Sequence, residues 1–169
     1  MNLQSYYGGN MIRIGHSWDV HKLVPNRNLI LGGIKIESEI GLLGHSDADV
    51  VLHAIAESLL GSLALGDLGT FYPDNSEKTL GMDSKIILKE CYKKVTDLNY
   101  HLNNIDIMIY SQNIKISPIR ERIRESIANI LNVDVKYISV KATTHEKMGF
   151  IGRGEAIACE AVCLVESND

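Results

Sequence analysis

One stretch limits the possible folds more than any other: the run from Val50 to Leu65 is apolar at nearly every position and stops at Gly66. Apolar side chains on all sides predict a largely buried helix rather than a surface one. Ser46 stands three residues ahead of Asp49, just before the run, and adds a helix-start signal of the capping kind. Asp49, His53 and Glu57 fall at i, i+4 and i+8, which puts them on one helix face. Two readings stay open for these three. They form a solvated stripe, or the imidazole is buried and needs a partner or a metal.

The segments around this helix supply a sheet. Met11–Gly15 has strand character, and Leu29–Leu31 and Ile34–Ile36 flank Gly32-Gly33 as a hairpin. Asp83 and Ser84 open a second helix, with Ile87, Cys91, Val95 and Leu98 at near-helical spacing. Ile105, Ile107 and Ile109 alternate with Asp106 and Met108, the period of a half-buried strand. Ser117-Pro118 predicts an N-cap followed by proline in the first turn, and Ile119, Ile123 and Ile127 stripe the third helix. Tyr137–Ala142 and Ala156–Val165 close the series as strands. The expected fold is an α/β (α+β) sandwich, a mixed β-sheet with helices packed on one face.

The chain of 169 residues, 45% hydrophobic and 22% charged, suits one compact domain, assigned to residues 11–166. Residues 1–10 lack the basic start and apolar centre of a signal peptide and read as an extension or cloning remnant. No apolar run approaches the roughly 18–20 residues of a membrane span. A net charge of −4 provides no basic stripe for nucleic acid. Cys91, Cys159 and Cys163 are odd in number and form no Cys-x-x-Cys, so they read as buried filler in a reducing, cytoplasmic setting.

Four constellations carry possible chemistry. Asp19 and His21 share one face of an extended segment, so a carboxylate and an imidazole converge, as zinc ligands or as a salt-bridged pair. His45-Ser46-Asp47-Ala48-Asp49 leads into the helix that carries His53. Gly66-Asp67-Leu68-Gly69 and Tyr72-Pro73-Asp74 form a turn-rich loop whose carboxylates serve turn geometry, substrate hydroxyls or a metal. Lys141 to Glu155 packs hydroxyls, lysines, an arginine and glycines into one stretch, either a charged connection or a phosphate cradle. It is neither a P-loop nor a dinucleotide fingerprint. Few basic residues surround the Asp/His positions, so an acidic chain that binds a polyanion there would draw on divalent metal.

These motifs stand in a fixed order: Arg13 to His21, Gly44 to Val50, His53, Leu65 to Gly69, Pro73-Asp74, and Lys141 to Glu155. From about Met11 to Val165 the ordered set resembles the cyclodiphosphate synthases of the non-mevalonate isoprenoid pathway. The resemblance implies a homotrimer with active sites between subunits. It implies a metal-dependent phosphorus–oxygen lyase that turns 4-diphosphocytidyl-2-C-methyl-D-erythritol 2-phosphate into a cyclic diphosphate and CMP. Zinc would be held by Asp19, His21 and His53, and magnesium or manganese by Glu146. His45 and Thr144 would steady the transition state, and Asp67 would hold the erythritol hydroxyls. Ser111, Lys115, Ile116, Ser117, Ala142 and Thr143 would grip the cytidine and its phosphates. Ser46, Gly69, Tyr72 and Asp74 match further substrate contacts, and Phe150, Arg153 and Glu160 match positions at a central channel open to an isoprenoid diphosphate. The setting implied is the bacterial cytoplasm, or the plastid of a plastid-bearing eukaryote. Ser17, His145 and Ser111 depart from the usual residues without removing a ligand. A zinc-dependent phosphohydrolase and a non-catalytic nucleotide-binding trimer remain as rival readings.

Overall fold

The computed structural model describes residues 11–73 and 80–168, so the expected extension at 1–10 and the site residue Asp74 lie outside the described residues. The elements in chain order are β1 (Ile12–Pro25), β2 (Leu29–Leu31), β3 (Ile34–Ile36), β4 (Ile40–Leu42), α1 (Val50–Ser62), α2 (Leu68–Phe71), α3 (Ser84–Asp97), β5 (Tyr100–Tyr110), α4 (Arg120–Leu131), β6 (Ile138–Thr143), α5 (Gly149–Gly152) and β7 (Ala156–Ser167). The main sheet runs β4-β1-β7-β5-β6, with β5 and β6 parallel and the other neighbours antiparallel. It is the mixed sheet expected from the sequence, and β2 and β3 form the expected hairpin apart from it.

The apolar run forms α1, which lies across β1 and β7. Small side chains on the facing strands permit the contact. Gly15 pairs with Cys163, Ser17 with Ala161, and Asp19 with Cys159. A Cβ on Gly15 would stand 1.8 Å from the Ser58 carbonyl oxygen, so only glycine lets the helix come this close. Ser17 donates its hydroxyl to the Ala54 carbonyl and leaves no polar atom unmatched there. The three cysteines are buried and unpaired, as expected. Burial pushes the Cys91 thiol up to about 12 and raises Cys159 and Cys163 as well, so none is a ready nucleophile.

Asp49, not Ser46, caps α1. Its carboxylate is fully buried and accepts the N–H groups of Val51 and Leu52 at 3.1 Å each. The same group accepts Gly32 N–H at 2.9 Å and Gly33 N–H at 2.6 Å. Both glycines have positive φ, 63° and 80°, the conformation a two-residue hairpin turn requires. One carboxylate therefore ties the hairpin to the first turn of α1. Burial pushes its pKa up, and the Gly33, Leu52 and Gly32 N–H groups pull against that rise. The expected stripe of three residues on α1 is thus split: Asp49 turns to the hairpin, while His53 and Glu57 face a cleft.

Other boundaries shift for physical reasons. α1 ends at Ser62, because Ala64 takes the left-handed conformation (φ 55°) and Leu65 N–H returns to the Leu60 carbonyl. Asp83 caps α3 as expected. α4 begins at Arg120 rather than after Ser117; Ile119 occupies the cap without a side-chain bond, its N–H closing a turn on the Ile116 carbonyl. β1 is longer than its apolar start suggested, since its outer half carries alternating polar residues paired along β7. The core gathers Leu52, Ile55, Leu59, Leu88, Ile105, Ile107 and Ile123 between helices and sheet. The opposite sheet face leaves Ile14 67% and Trp18 49% exposed, with Ile12 and Val162 beside them. No helix among the described residues is long and apolar enough to cross a membrane.

Removing the Asp49 carboxylate takes away a helix cap and strands buried N–H donors. Asp49→Ala is expected to lower unfolding free energy by on the order of 3 kcal/mol. Chemical denaturation followed by circular dichroism measures this, and an unchanged midpoint would remove Asp49 from its structural role.

Candidate active site

Strand β1 delivers Asp19 and His21 to the helix-facing side of the sheet, and α1 delivers His53 one turn after its cap. The three meet closely. His21 Nε2 lies 3.0 Å from Asp19 Oδ2, His53 Nδ1 lies 3.4 Å from the same oxygen, and the two ring nitrogens are 3.2 Å apart. These are the Asp, His and His expected from the sequence, and their ligand atoms lie within 4.8 Å of one another.

The proton inventory shows what such a cluster accepts. His21 Nδ1 is 2.9 Å from the Leu43 carbonyl, which can only accept, so the Nδ1 proton is committed there. Nε2 faces a carboxylate and a second imidazole: when protonated it donates to Asp19, and when neutral it offers a lone pair to a cation. Burial disfavours charge on Asp19, but hydrogen bonds and charge from His21 and His53 outweigh it and hold the carboxyl well below the usual range. Burial likewise lowers His21, and the Asp19 carboxylate outweighs it, so the net shift is upward. Two imidazole nitrogens and one carboxylate oxygen converging on one point fit a divalent metal with an open coordination position.

The cluster opens into a cleft of about 380 Å³ lined by Asp19, His21, His45, Ser46, His53, Glu57, Leu68, Tyr72 and Ile87. Burial raises the Glu57 carboxyl. The Tyr72 hydroxyl donates to Glu90 Oε2 at 2.6 Å. Asp67 caps α2, accepting the Thr70 N–H at 2.9 Å and the Thr70 hydroxyl at 2.7 Å. Those bonds lower its pKa, so the exposed carboxylate beside the cleft stays an acceptor. Gly69 lies within α2. Leu68 and Ile87 complete the apolar wall; Ile87 was legible only as a core position of its helix.

The remaining expected residues gather elsewhere. β5 and β6 run parallel, so Tyr110 and Thr143 pair at their ends and both following loops leave from one edge. Gln112 joins these loops by accepting the N–H groups of His145 and Lys147 at 3.3 Å each. Thr144 donates its hydroxyl to Glu146 at 3.0 Å, and Glu146 and Lys147 both have positive φ, 48° and 62°. Lys115, Ser117, Ala142, Thr143, Thr144 and Glu146 are exposed here, while Ser111 and Ile116 are buried. None of these residues lines the first cleft. Asp19, Cys159, Ile109 and Ala142 form one row across the sheet, so the two groups lie about 14 Å apart, three strand spacings. Phe150 lines a shallower hollow with Val20 and Lys22, Arg153 pairs with Glu155 at 2.7 Å, and Glu160 on the open face accepts from His16 and Tyr110, each at 2.7 Å.

The YgbB family model matches residues 12–166. The 2-C-methyl-D-erythritol 2,4-cyclodiphosphate synthase of Carboxydothermus hydrogenoformans is 53% identical over 156 residues, covering 92% of this chain and 96% of that one. The bifunctional IspDF of Campylobacter jejuni superimposes with a TM-score of 0.92 at 38% identity, covering 95% of this chain; the match spans 44% of the bifunctional chain. IspF of Plasmodium falciparum, solved as a CDP complex, gives a TM-score of 0.83 at 40% identity, covering 94% of this chain and 97% of that one.

Proposed function

This chain belongs to the YgbB family, and from that membership we propose that it cyclises 4-diphosphocytidyl-2-C-methyl-D-erythritol 2-phosphate to 2-C-methyl-D-erythritol 2,4-cyclodiphosphate. An oxygen of the 2-phosphate bonds to the β-phosphorus, the bond from the β-phosphorus to the α,β-bridging oxygen breaks, and CMP leaves carrying that oxygen on its α-phosphorus. The observation that carries the reading is the inward-facing Asp19–His21–His53 donor set at the mouth of a cleft.

Zinc held by Asp19, His21 and His53, with magnesium or manganese at Glu146, would supply positive charge against the phosphate oxygens. The chain's own residues position the reactants. His45 lies in the cleft wall, within reach of a phosphate at its mouth. Asp67, held ionised by Thr70, accepts from the erythritol hydroxyls. Lys115 neutralises phosphate beside the Thr143 and Thr144 hydroxyls, and the Ser111–Ser117 loop takes the cytidine. Phosphoryl transfer of this kind needs placement and charge balance rather than a protein nucleophile.

The separation of the two residue groups supports a site completed between subunits. A homotrimer would bring the metal cluster of one chain to the nucleotide loops of the next, with the exposed Ile12, Ile14 and Trp18 face turned inward. Phe150, Arg153 and Glu160 would then lie around its central channel.

Phosphorus NMR on the protein with the cytidine substrate and magnesium is expected to show the cyclic diphosphate and CMP, both lost after chelation. An open-chain product would instead establish a phosphohydrolase. His53→Ala is expected to abolish turnover, and Lys115→Ala to raise KM at least tenfold with metal content unchanged; a zinc-free but active His53 variant would overturn the ligand assignment. Mixing these two inactive or weakened variants, with subunit exchange, is expected to restore activity, because some sites then draw both intact halves. No recovery would place the whole site in one chain.

A further inference from the structure

The two cluster histidines hold their rings by different means. His21 uses a backbone carbonyl. His53 turns its Nε2 toward Ser84 Oγ at 2.9 Å and Ser46 Oγ at 3.1 Å, both outside any metal role assigned above. Ser84 is fully buried and opens α3, the helix whose Ile87 lines the same cleft. Its N–H donates to Asp47 Oδ2 at 3.1 Å, and its hydroxyl donates to Asp47 Oδ1.

We propose that Ser84 and Asp47 are positioning residues of the metal centre, fixing His53 as the Nε2–H tautomer so that Nδ1 turns its lone pair toward Asp19 and His21. A serine hydroxyl has one hydrogen. With that hydrogen on the Asp47 carboxylate, Ser84 Oγ can only accept from His53, which therefore carries its proton on Nε2. Ser46 does not decide the matter, because its oxygen takes the Ala48 N–H at 3.2 Å and its own hydrogen can turn either way. The opposite tautomer would place an N–H at Nδ1, against the site where a cation must sit. Asp47–Ser84–His53 is thus a carboxylate–hydroxyl–imidazole chain behind the ligand, and it links the start of α3 to metal affinity.

The inference rests on the metal-centre reading, and the experiment separates the two. Zinc affinity is measured by competition with a chromophoric chelator for the parent, Ser84→Ala and Asp47→Asn. Both variants are expected to bind zinc 10–100-fold more weakly, the usual effect of removing a partner behind a ligand. Nitrogen-15 NMR of the histidine rings in the metal-free proteins gives the second readout. The parent is expected to show a protonated His53 Nε2, and the variants a mixture of tautomers. Asp47→Asn keeps the shape of the side chain, so it stands in should Ser84→Ala not fold. Parent-like zinc affinity in a folded variant, or a proton on His53 Nδ1 in the parent, would overturn the proposal. A parent that binds no zinc would overturn the metal-centre reading instead, while its His53 tautomer would still decide this one.

Discussion

The carboxylate of Asp49 is the joint on which the site depends. Its oxygens receive two N–H groups from the first turn of α1 and two from the β2–β3 turn. A buried carboxylate is costly unless donors surround it, and here every donor is backbone and fixed by local geometry. The bonds set where α1 begins, and that start sets His53 one turn later. Gly15 then fixes how near α1 lies to β1, because any larger residue would strike the Ser58 carbonyl. The distance from His53 to Asp19 follows from these two contacts rather than from either histidine or aspartate.

The arrangement also explains the distribution of charge. The chain is net acidic, and among the described residues the cleft wall holds Asp19 and Glu57 with no lysine or arginine. A polyanion would be repelled from such a cleft unless charge came from a bound ion. The lysines and threonines stand instead at the parallel end of β5 and β6, across the sheet. The two groups of residues stand about 14 Å apart, three strand spacings across one sheet. The sheet face away from the helices leaves Ile14 and Trp18 exposed.

The buried thiols fit this economy. Cys91, Cys159 and Cys163 fill space beneath the sheet and around α3, with their pKa values raised by burial. They offer no nucleophile, in keeping with a reaction in which the substrate supplies its own attacking oxygen.

Much of this was legible in the sequence because it depends on local periodicity. The apolar run named α1, alternation named β5, Gly32-Gly33 named the hairpin, and Asp19-x-His21 put two donors on one strand face. The ordered motifs also paired His53 with that strand. The cap residue of α1, the late start of α4 and the fate of Asp49 were not legible. Each depends on a partner far along the chain, and helical spacing alone cannot tell a residue that faces a cleft from one that faces a turn. Ser84 carried only a helix-start signal, and nothing in its spacing pointed to His53. By itself the sequence determined which side chains carry donors and charges of the kind that metal and phosphate chemistry uses. Only the tertiary structure decided which ring nitrogen faces the cluster and which residues stay apart, because proton positions and strand order are set by contacts between segments distant in the chain.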